Sequence, residues 1–166
     1  MLYLIPARAG SKRLPGKNKR LFCGLQLWQW SAATAERLRG PDDDIEVSTD
    51  DRDILDLWPV NPRPEHLCGD DSPTGALIEH IFQSFLHDTI VLLQPTSPTR
   101  PDSLVRQLIA HGGQVRSVTN GVPNGQCWVY RKGHEGWIDI ETEKGVDIDT
   151  LADFEAAEKE MLRRFA

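Results

Sequence analysis

The chain has 166 residues, of which 39% are hydrophobic and 27% are charged, which is typical of one soluble domain with a single core. No segment approaches the roughly 20 apolar residues that span a membrane, and the apolar start is too short for a signal peptide. The net charge of −6 does not suit nucleic acid, and the three widely spaced cysteines lack zinc-site spacing, so we expect a cytoplasmic protein.

The first half of the chain predicts alternating strands and helices. Residues 2–5 form a short apolar run that ends at a proline, as expected for a buried strand. Residues 27–39 have helical composition and stop at a Gly-Pro pair. Residues 45–48 predict a second strand, and 51–57 predict a short helix that ends before Pro59.

The second half repeats the alternation. Residues 77–86 have helical spacing of apolar side chains, and the uninterrupted apolar run 89–93 predicts a central parallel strand. A helix with one apolar face is predicted from Pro101 to the glycine pair at 112–113, and residues 115–118 and 127–130 predict further strands.

The C-terminal segment predicts a final helix. Thr150 and Asp153 have the spacing of a capping box at its start. The side chains predicted to face the core are Leu151, Phe154, Ala157, Met161 and Phe165.

Together these elements predict an α/β fold with three layers, a Rossmann-like, mostly parallel sheet covered by helices on both faces. Ligands in such folds bind beyond the carboxyl ends of the strands. Three polar segments follow predicted strands: 8–12, 48–51 and 94–97.

The first of these segments predicts an anion site. Residues 1–20 contain six basic side chains and no acids, whereas the rest of the chain is strongly acidic. Small residues at Ala9, Gly10 and Ser11 predict a nest of backbone N–H groups for a phosphate. A solvated run of charges is the alternative. The pattern matches neither the P-loop nor the dinucleotide fingerprint.

The run from Ala7 to Asn18 resembles the N-terminal signature of the acylneuraminate cytidylyltransferase family, which includes CMP-sialic acid, CMP-Kdo and pseudaminic acid synthetases. Further segments resemble that family in the same order: 47–51, 63–65, 69–74, 92–98, 124–125 and 147–150. The resemblance implies the sheet of the nucleotide-diphospho-sugar transferases, CTP as co-substrate and an acidic, sialic acid-like sugar as acceptor.

The resemblance also assigns the nucleotide site. It implies that Arg8, Lys12 and Asp149 are the catalytic residues. The residues implied to bind the nucleotide are Arg8, Gly10, Ser11, Lys12, Lys17, Asn18, Arg63, Ser72 and Thr74. Two alternatives remain open: Arg63 pairs with a surface acid, and Asp71-Ser72 caps the next helix.

Two carboxylates near the C-terminus form a candidate metal site. Asp147 and Asp149 lie two residues apart in an extended context, so their side chains point to the same face. Paired carboxylates with phosphate oxygens suit Mg²⁺, and the resemblance implies this metal role. The alternative is that Asp149 caps the final helix.

The acceptor sugar is expected at the end of the central strand. By resemblance, its ligands are Gln94, Thr96, Ser97 and Asn124. The alternative for the first three is a turn bracketed by prolines that caps a helix.

The resemblance also shows where the chain differs from the family. We expect one domain over residues 1–166 that lacks most of the family's dimerisation arm between about 119 and 124, and hence a monomer or an atypical homodimer. An active cytidylyltransferase is the first hypothesis. The alternatives are a catalytically impaired nucleotide-binding or regulatory module, and an enzyme that uses another nucleotide.

Overall fold

The computed structural model describes residues 1–58, 60, 62–69 and 71–165, except for the side chains of residues 164 and 165. Within this part of the chain the strands are β1 (Leu2–Pro6), β2 (Leu21–Phe22), β3 (Leu25–Gln26), β4 (Asp44–Ser48), β5 (Thr89–Leu92), β6 (Val115–Thr119), β7 (Val122–Arg131) and β8 (Ile138–Glu141). The α-helices are α1 (Leu27–Leu38), α2 (Arg52–Leu57), α3 (Thr74–Ser84), α4 (Asp102–Ala110) and α5 (Leu151–Phe165).

Six of these strands form one sheet in the order β4-β1-β5-β7-β6-β8. β4, β1 and β5 are parallel, β7 is antiparallel to both of its neighbours, and β8 is parallel to β6. The predicted mostly parallel α/β sheet is therefore confirmed. β8 was not predicted, because its alternation of isoleucine and acidic residues covers only four positions.

Apolar clusters on the two faces of the sheet produce the layers. On one face, β1 and β5 pack against α1, α2 and α4 through a cluster that includes Tyr3, Ile5 and Trp28. On the other face, Leu2 and Leu4 pack against α3. Successive strand residues point to opposite faces, so a strand with an unbroken apolar run can be buried on both sides.

The last helix closes a third apolar cluster beneath the N-terminal loop. Its start is the predicted capping box, in which the Asp153 N–H donates to Thr150 Oγ1 over 3.2 Å and the Thr150 N–H donates to Asp153 over 2.8 Å. The Thr150 hydroxyl, which donates to the Asp153 carboxylate over 2.8 Å, and the backbone N–H groups of Thr150 and Asp149 lower the pKa of Asp153. Of the predicted inner residues, Phe154, Ala157 and Met161 are buried.

Two predictions near the helix ends have different outcomes. Leu151 is 50% exposed, so its assignment to the core was wrong: it lies in the first turn, outside the third cluster. The side chain of Phe165 and the predicted helix stop at Pro59 lie outside the described residues.

β6 and β7 are joined by the tight turn Asn120-Gly121. Both residues have positive φ, 52° and 71°, which is the geometry of a two-residue hairpin and favours Asn-Gly. Thr119 pairs directly with Val122 across the turn. Among the described residues, no helix combines the length and apolar character that crossing a membrane requires.

Candidate active site

A cavity of about 380 Å³ at the carboxyl edge of the parallel strands forms the main candidate site. It lies between the loop that follows β1 and the turn that follows β5. Its lining residues are Pro6, Arg8, Ser11, Lys12, Arg13, Lys17, Asn18, Gln94, Pro95, Thr96 and Asp149. Parallel pairing of β1 with β4 and β5 brings these loops to one edge, as the sequence predicted.

The loop after β1 is held by the segment that follows β4. The Thr49 hydroxyl donates to the Ala7 carbonyl over 2.7 Å, and the Ala9 N–H donates to Asp50 Oδ1 over 2.7 Å. The Ser11 N–H donates to the Ala9 carbonyl over 3.0 Å. The N–H groups of Ala9 and Ser11 thus have acceptors within the protein, and the phosphate nest at residues 9–11 stays a prediction.

Positive charge is the main property of this loop. The side chains of Arg8, Lys12, Arg13 and Lys17 all line the cavity. The sequence identified Arg13 only as one of the six basic side chains near the N-terminus. Its position next to Lys12 was the signal that could have predicted its place in the cavity. The summed charge of four such groups in a concave site attracts a polyanion.

Asp149 reaches this loop from the C-terminal segment. Its carboxylate forms ion pairs with Arg13 over 2.9 Å and with Lys17 over 3.1 Å, and Lys17 also donates to the Ile148 carbonyl over 2.9 Å. Since Thr150 and Asp153 form the helix cap, the Asp149 carboxylate does not act as that cap. Lys17 thereby ties the loop to residues 148–149.

Asp147 is placed differently from Asp149. Its side chain is exposed, and it is not part of the cavity lining. Val146 and Ile148, which alternate with the two aspartates along the chain, both pack on the third cluster, as the predicted alternation of apolar and acidic side chains requires. Among the described residues, no group of three or more His, Cys, Asp or Glu side chains could hold a metal ion without further ligands.

The turn after β5 forms the opposite wall. Gln94 and Thr96 line the cavity, and Thr96 Oγ1 is buried without a hydrogen-bond partner among the described residues. A Cβ atom at Gly125 would lie 3.2 Å from Gln94 Oε1 and 3.6 Å from Thr96 Oγ1, so a larger residue there would require the Gln94 side chain to shift by a few tenths of an ångström. The Ser97 N–H donates to the Gln94 carbonyl over 3.2 Å and closes the turn. α4 begins only at Asp102, so the turn itself does not cap a helix.

Two predicted acceptor ligands lie behind this wall. Ser97 is 1% exposed and outside the cavity lining. The Asn124 amide donates to Thr119 Oγ1 and Thr142 Oγ1 over 3.0 and 2.9 Å, and its oxygen accepts from Ser117. The hydrogen bonds of Asn124 therefore join β6, β7 and the segment after β8.

A second cavity of about 140 Å³ shares Pro6 and Arg8 with the first. Arg63 lines it and donates from Nε to Ser48 Oγ over 2.9 Å and from Nη2 to the Ser48 carbonyl over 3.1 Å. It is 8% exposed, so it is not a surface ion-pair residue, and burial lowers its pKa.

The other residues predicted to bind the nucleoside lie at the two cavities. Ser72 and Thr74 line the smaller cavity. The N-cap of α3 is Pro73, which excludes Ser72 as a side-chain cap of this helix. Asn18 lines the larger cavity and donates to the Arg8 carbonyl over 3.0 Å, whereas Asp70 lies outside the described residues.

The family model for cytidylyltransferases matches residues 2–122. This chain belongs to the cytidylyltransferase family. The CMP-N,N'-diacetyllegionaminic acid synthase of Legionella pneumophila is 36% identical over 133 residues, 72% of this chain and 54% of the relative. A pseudaminic acid cytidylyltransferase of Campylobacter jejuni is 29% identical over 64% of this chain and 50% of its own length.

Solved structures show the same fold. The CTP complex of a CMP-2-keto-3-deoxy-manno-octonic acid synthetase superposes with a TM-score of 0.76 at 18% identity and covers 98% of both chains. The 4-diphosphocytidyl-2C-methyl-D-erythritol synthase of Anaerococcus prevotii gives 0.69 at 14% identity, with 98% coverage of both chains. This cytidylyltransferase chain spans about half the length of the curated relatives it matches.

Proposed function

We propose that this protein transfers the cytidine monophosphate unit of CTP to an acidic, sialic acid-like sugar and releases pyrophosphate. One observation carries the proposal: a cavity at the carboxyl edge of the sheet with four cationic side chains on one wall and neutral polar groups on the other. Family membership and relatives named for CMP-sugar synthesis support it. The activity and the acceptor belong to the proposal.

The triphosphate would bind along the cationic wall. Arg8 and Lys12 would contact phosphate oxygens, together with Ser11 and the Gly10 backbone. Lys17 and Arg13, which both pair with the Asp149 carboxylate, would join them. Cations at this position stabilise the charge that builds on departing pyrophosphate.

The cytidine would extend into the smaller cavity. Arg8 lines both cavities, so a nucleotide bound by it can reach from one to the other. Arg63 is held rigidly by Ser48 at the far wall, and Ser72 and Thr74 supply hydroxyl groups. Asn18, buried beneath the loop, would complete the site.

Asp149 would hold Mg²⁺ at the cavity, and Asp147, which lies outside the lining, is the second predicted ligand. Asp149 fits this role because its carboxylate lines the cavity beside the phosphate-binding cations. Mg²⁺ commonly uses one or two carboxylates and takes its other ligands from phosphate and water, so a large acidic cluster is not needed. When bound, the ion would neutralise phosphate charge.

The chemistry would be an in-line displacement at the α-phosphorus. The sugar hydroxyl oxygen forms a bond to that phosphorus and gives up its proton, while the bond to the bridging oxygen breaks and pyrophosphate leaves. Gln94 and Thr96 would orient the sugar by hydrogen bonds, and Thr96 Oγ1 has no competing partner among the described residues. Orientation of two bound reactants accounts for much of such a rate increase. Ser97 and Asn124 would support this wall.

The assembly would also differ from that of larger relatives. Because Asn120 and Gly121 alone connect β6 to β7, this connection leaves no room for an extended arm. We propose one domain that acts as a monomer, or as a homodimer formed without such an arm.

Pyrophosphate release from each of the four nucleoside triphosphates tests the proposal, with Mg²⁺ and a panel of 3-deoxy-manno-octulosonate, pseudaminic, legionaminic and sialic acids. We expect release with CTP and at least one acid. Lys12→Ala should reduce it at least about 100-fold, and the exposed control Lys132→Ala should not change it. Turnover should be lost in the double variant Asp147→Asn/Asp149→Asn. Binding of CTP without release for any acid would refute catalysis and favour the binding-module hypothesis.

A further inference from the structure

Arg100 is a buried cation that the sequence motifs do not explain. It follows the Gln94–Pro98 turn and is 5% exposed. Burial lowers its pKa to about 10, so the guanidinium still carries its charge at neutral pH. No carboxylate of the described residues forms an ion pair with it.

The guanidinium donates in three directions instead. Its Nε donates to the Gln126 carbonyl on β7 over 2.6 Å, and Nη1 donates to Ser31 Oγ on α1 over 2.9 Å. Its Nη2 donates to the Gln94 carbonyl, which also accepts from Ser31. A single side chain thus joins a helix, a strand and the cavity wall.

Two of the three joined segments connect to the walls of the cavity. The Gln94 side chain lines it, and the same turn places Thr96, whose carbonyl accepts from the Ile148 N–H over 2.9 Å. Gln126 continues the connection by donating to the Glu143 carbonyl over 3.0 Å. Arg100 therefore lies at the centre of a network that fixes the acceptor wall relative to the segment that carries Asp149.

We propose that Arg100 is a positioning residue for the acceptor: it sets the Gln94 peptide so that the Gln94 side chain and Thr96 face the sugar. This inference rests on the proposed function. Arginine suits the role because its planar fork offers five donors, whereas a lysine ammonium on a flexible stem cannot reach the three acceptors in the same geometry. The nucleotide-binding loop does not contact Arg100 through any of these hydrogen bonds.

A second arginine supplies the matched control. Arg131, the last residue of β7, donates to the carbonyls of Gly113 and Ile109 and to Thr89 Oγ1 over 2.9, 2.8 and 3.2 Å. It resembles Arg100 in its bonding but lies away from the cavity. Replacing either arginine by lysine should lower stability, and only the change at Arg100 should raise KM for the acceptor acid.

The test compares wild type, Arg100→Lys and Arg131→Lys, using CTP and the acid of the panel that wild type turns over fastest. For Arg100→Lys we expect KM for the acid to rise at least about tenfold while Kd for CTP stays within about twofold. For Arg131→Lys both should stay within about twofold. Equal losses in CTP and acid binding, or the same acceptor defect in Arg131→Lys, would overturn the proposal.

Amide hydrogen exchange separates this inference from the proposed function. If wild type turns over no acid, the proposed function fails, and exchange then decides the role of Arg100. We expect the amides of Thr96 and Ser97 to exchange at least about tenfold faster in Arg100→Lys, with those of the loop at 9–17 unchanged. Unchanged exchange at the turn would refute the positioning role. If Arg100→Lys does not fold, Ser31→Ala replaces it, because this change removes one acceptor of the Arg100 guanidinium. We then expect a rise of at least about threefold in KM for the acid or in the exchange rate of the turn amides. Unchanged exchange at the turn would again refute the positioning role.

Discussion

Glu46 on β4 links the burial of one carboxyl group to the pH dependence of folding. Its side chain is 8% exposed, and burial alone raises its pKa from 4.5 to about 7. A difference of about 2.5 in pKa corresponds to about 3 kcal/mol, at roughly 1.4 kcal/mol for each pH unit. This is the free energy by which the buried carboxylate opposes folding once both states are ionised.

The sign follows from proton binding in the two states. Between pH 4.5 and about 7 the folded protein keeps a proton on Glu46 that the unfolded chain releases. The free energy of unfolding therefore falls as the pH rises through this window, and the contribution of Glu46 levels off above about pH 7. Glu46→Gln removes the titrating group. The free energy of unfolding of the variant, taken relative to that of wild type, should therefore be up to about 3 kcal/mol higher near pH 8 than near pH 5.

Urea unfolding at closely spaced pH values measures this difference. Glu79→Gln, on the exposed side of α3, is the matched control and should follow the wild-type curve. Curves for wild type and Glu46→Gln that stay parallel within about 0.5 kcal/mol would refute the reasoning.

Two further changes test the packing and the turn. Phe154→Ala should lower the free energy of unfolding by about 3–5 kcal/mol, because Phe154 is 6% exposed and packs edge-to-face on another ring. The control Leu151→Ala, at an exposed position, should change it by less than about 0.5 kcal/mol. Similar losses for the two variants in urea unfolding would contradict this placement of α5. Gly121→Ala should lower the free energy of unfolding by about 1–2 kcal/mol, because the backbone φ at this position is 71°. The control Gly75→Ala, within α3, should leave stability unchanged or increase it. Equal thermal midpoints for the two variants would exclude strain at the turn.

Periodicity in the sequence predicted most of the regular elements. β1 and β5 were recognised because each is a compact apolar run, and α4 because apolar residues recur at helical spacing. The segment Ile-Glu-Val-Ser predicted β4, and helical composition predicted α1. The exposed edge strand β8 and the two-residue strands β2 and β3 lack such a pattern. Their formation depends on pairing partners that local sequence does not reveal.

The candidate site shows the same division. The basic loop and the glutamine turn were predicted at one edge, because parallel strands bring their carboxyl ends together. The sequence offered two roles for Asp149 and could not decide between them. Its ion pairs with Arg13 and Lys17 join residues more than 130 positions apart, so only the packing of α5 beneath the loop selects them.

By itself, then, the sequence determined the α/β class, the order of the main elements and the cationic character of the loop at the carboxyl edge, because these follow from local patterns of apolar, small and charged residues. Only the tertiary structure decided which polar groups face the cavity and which are held behind it. Arg100 and Asn124 illustrate the reason: a buried polar group must find its hydrogen-bond partners among whatever segments the fold brings near it, and several of those segments are distant in the chain.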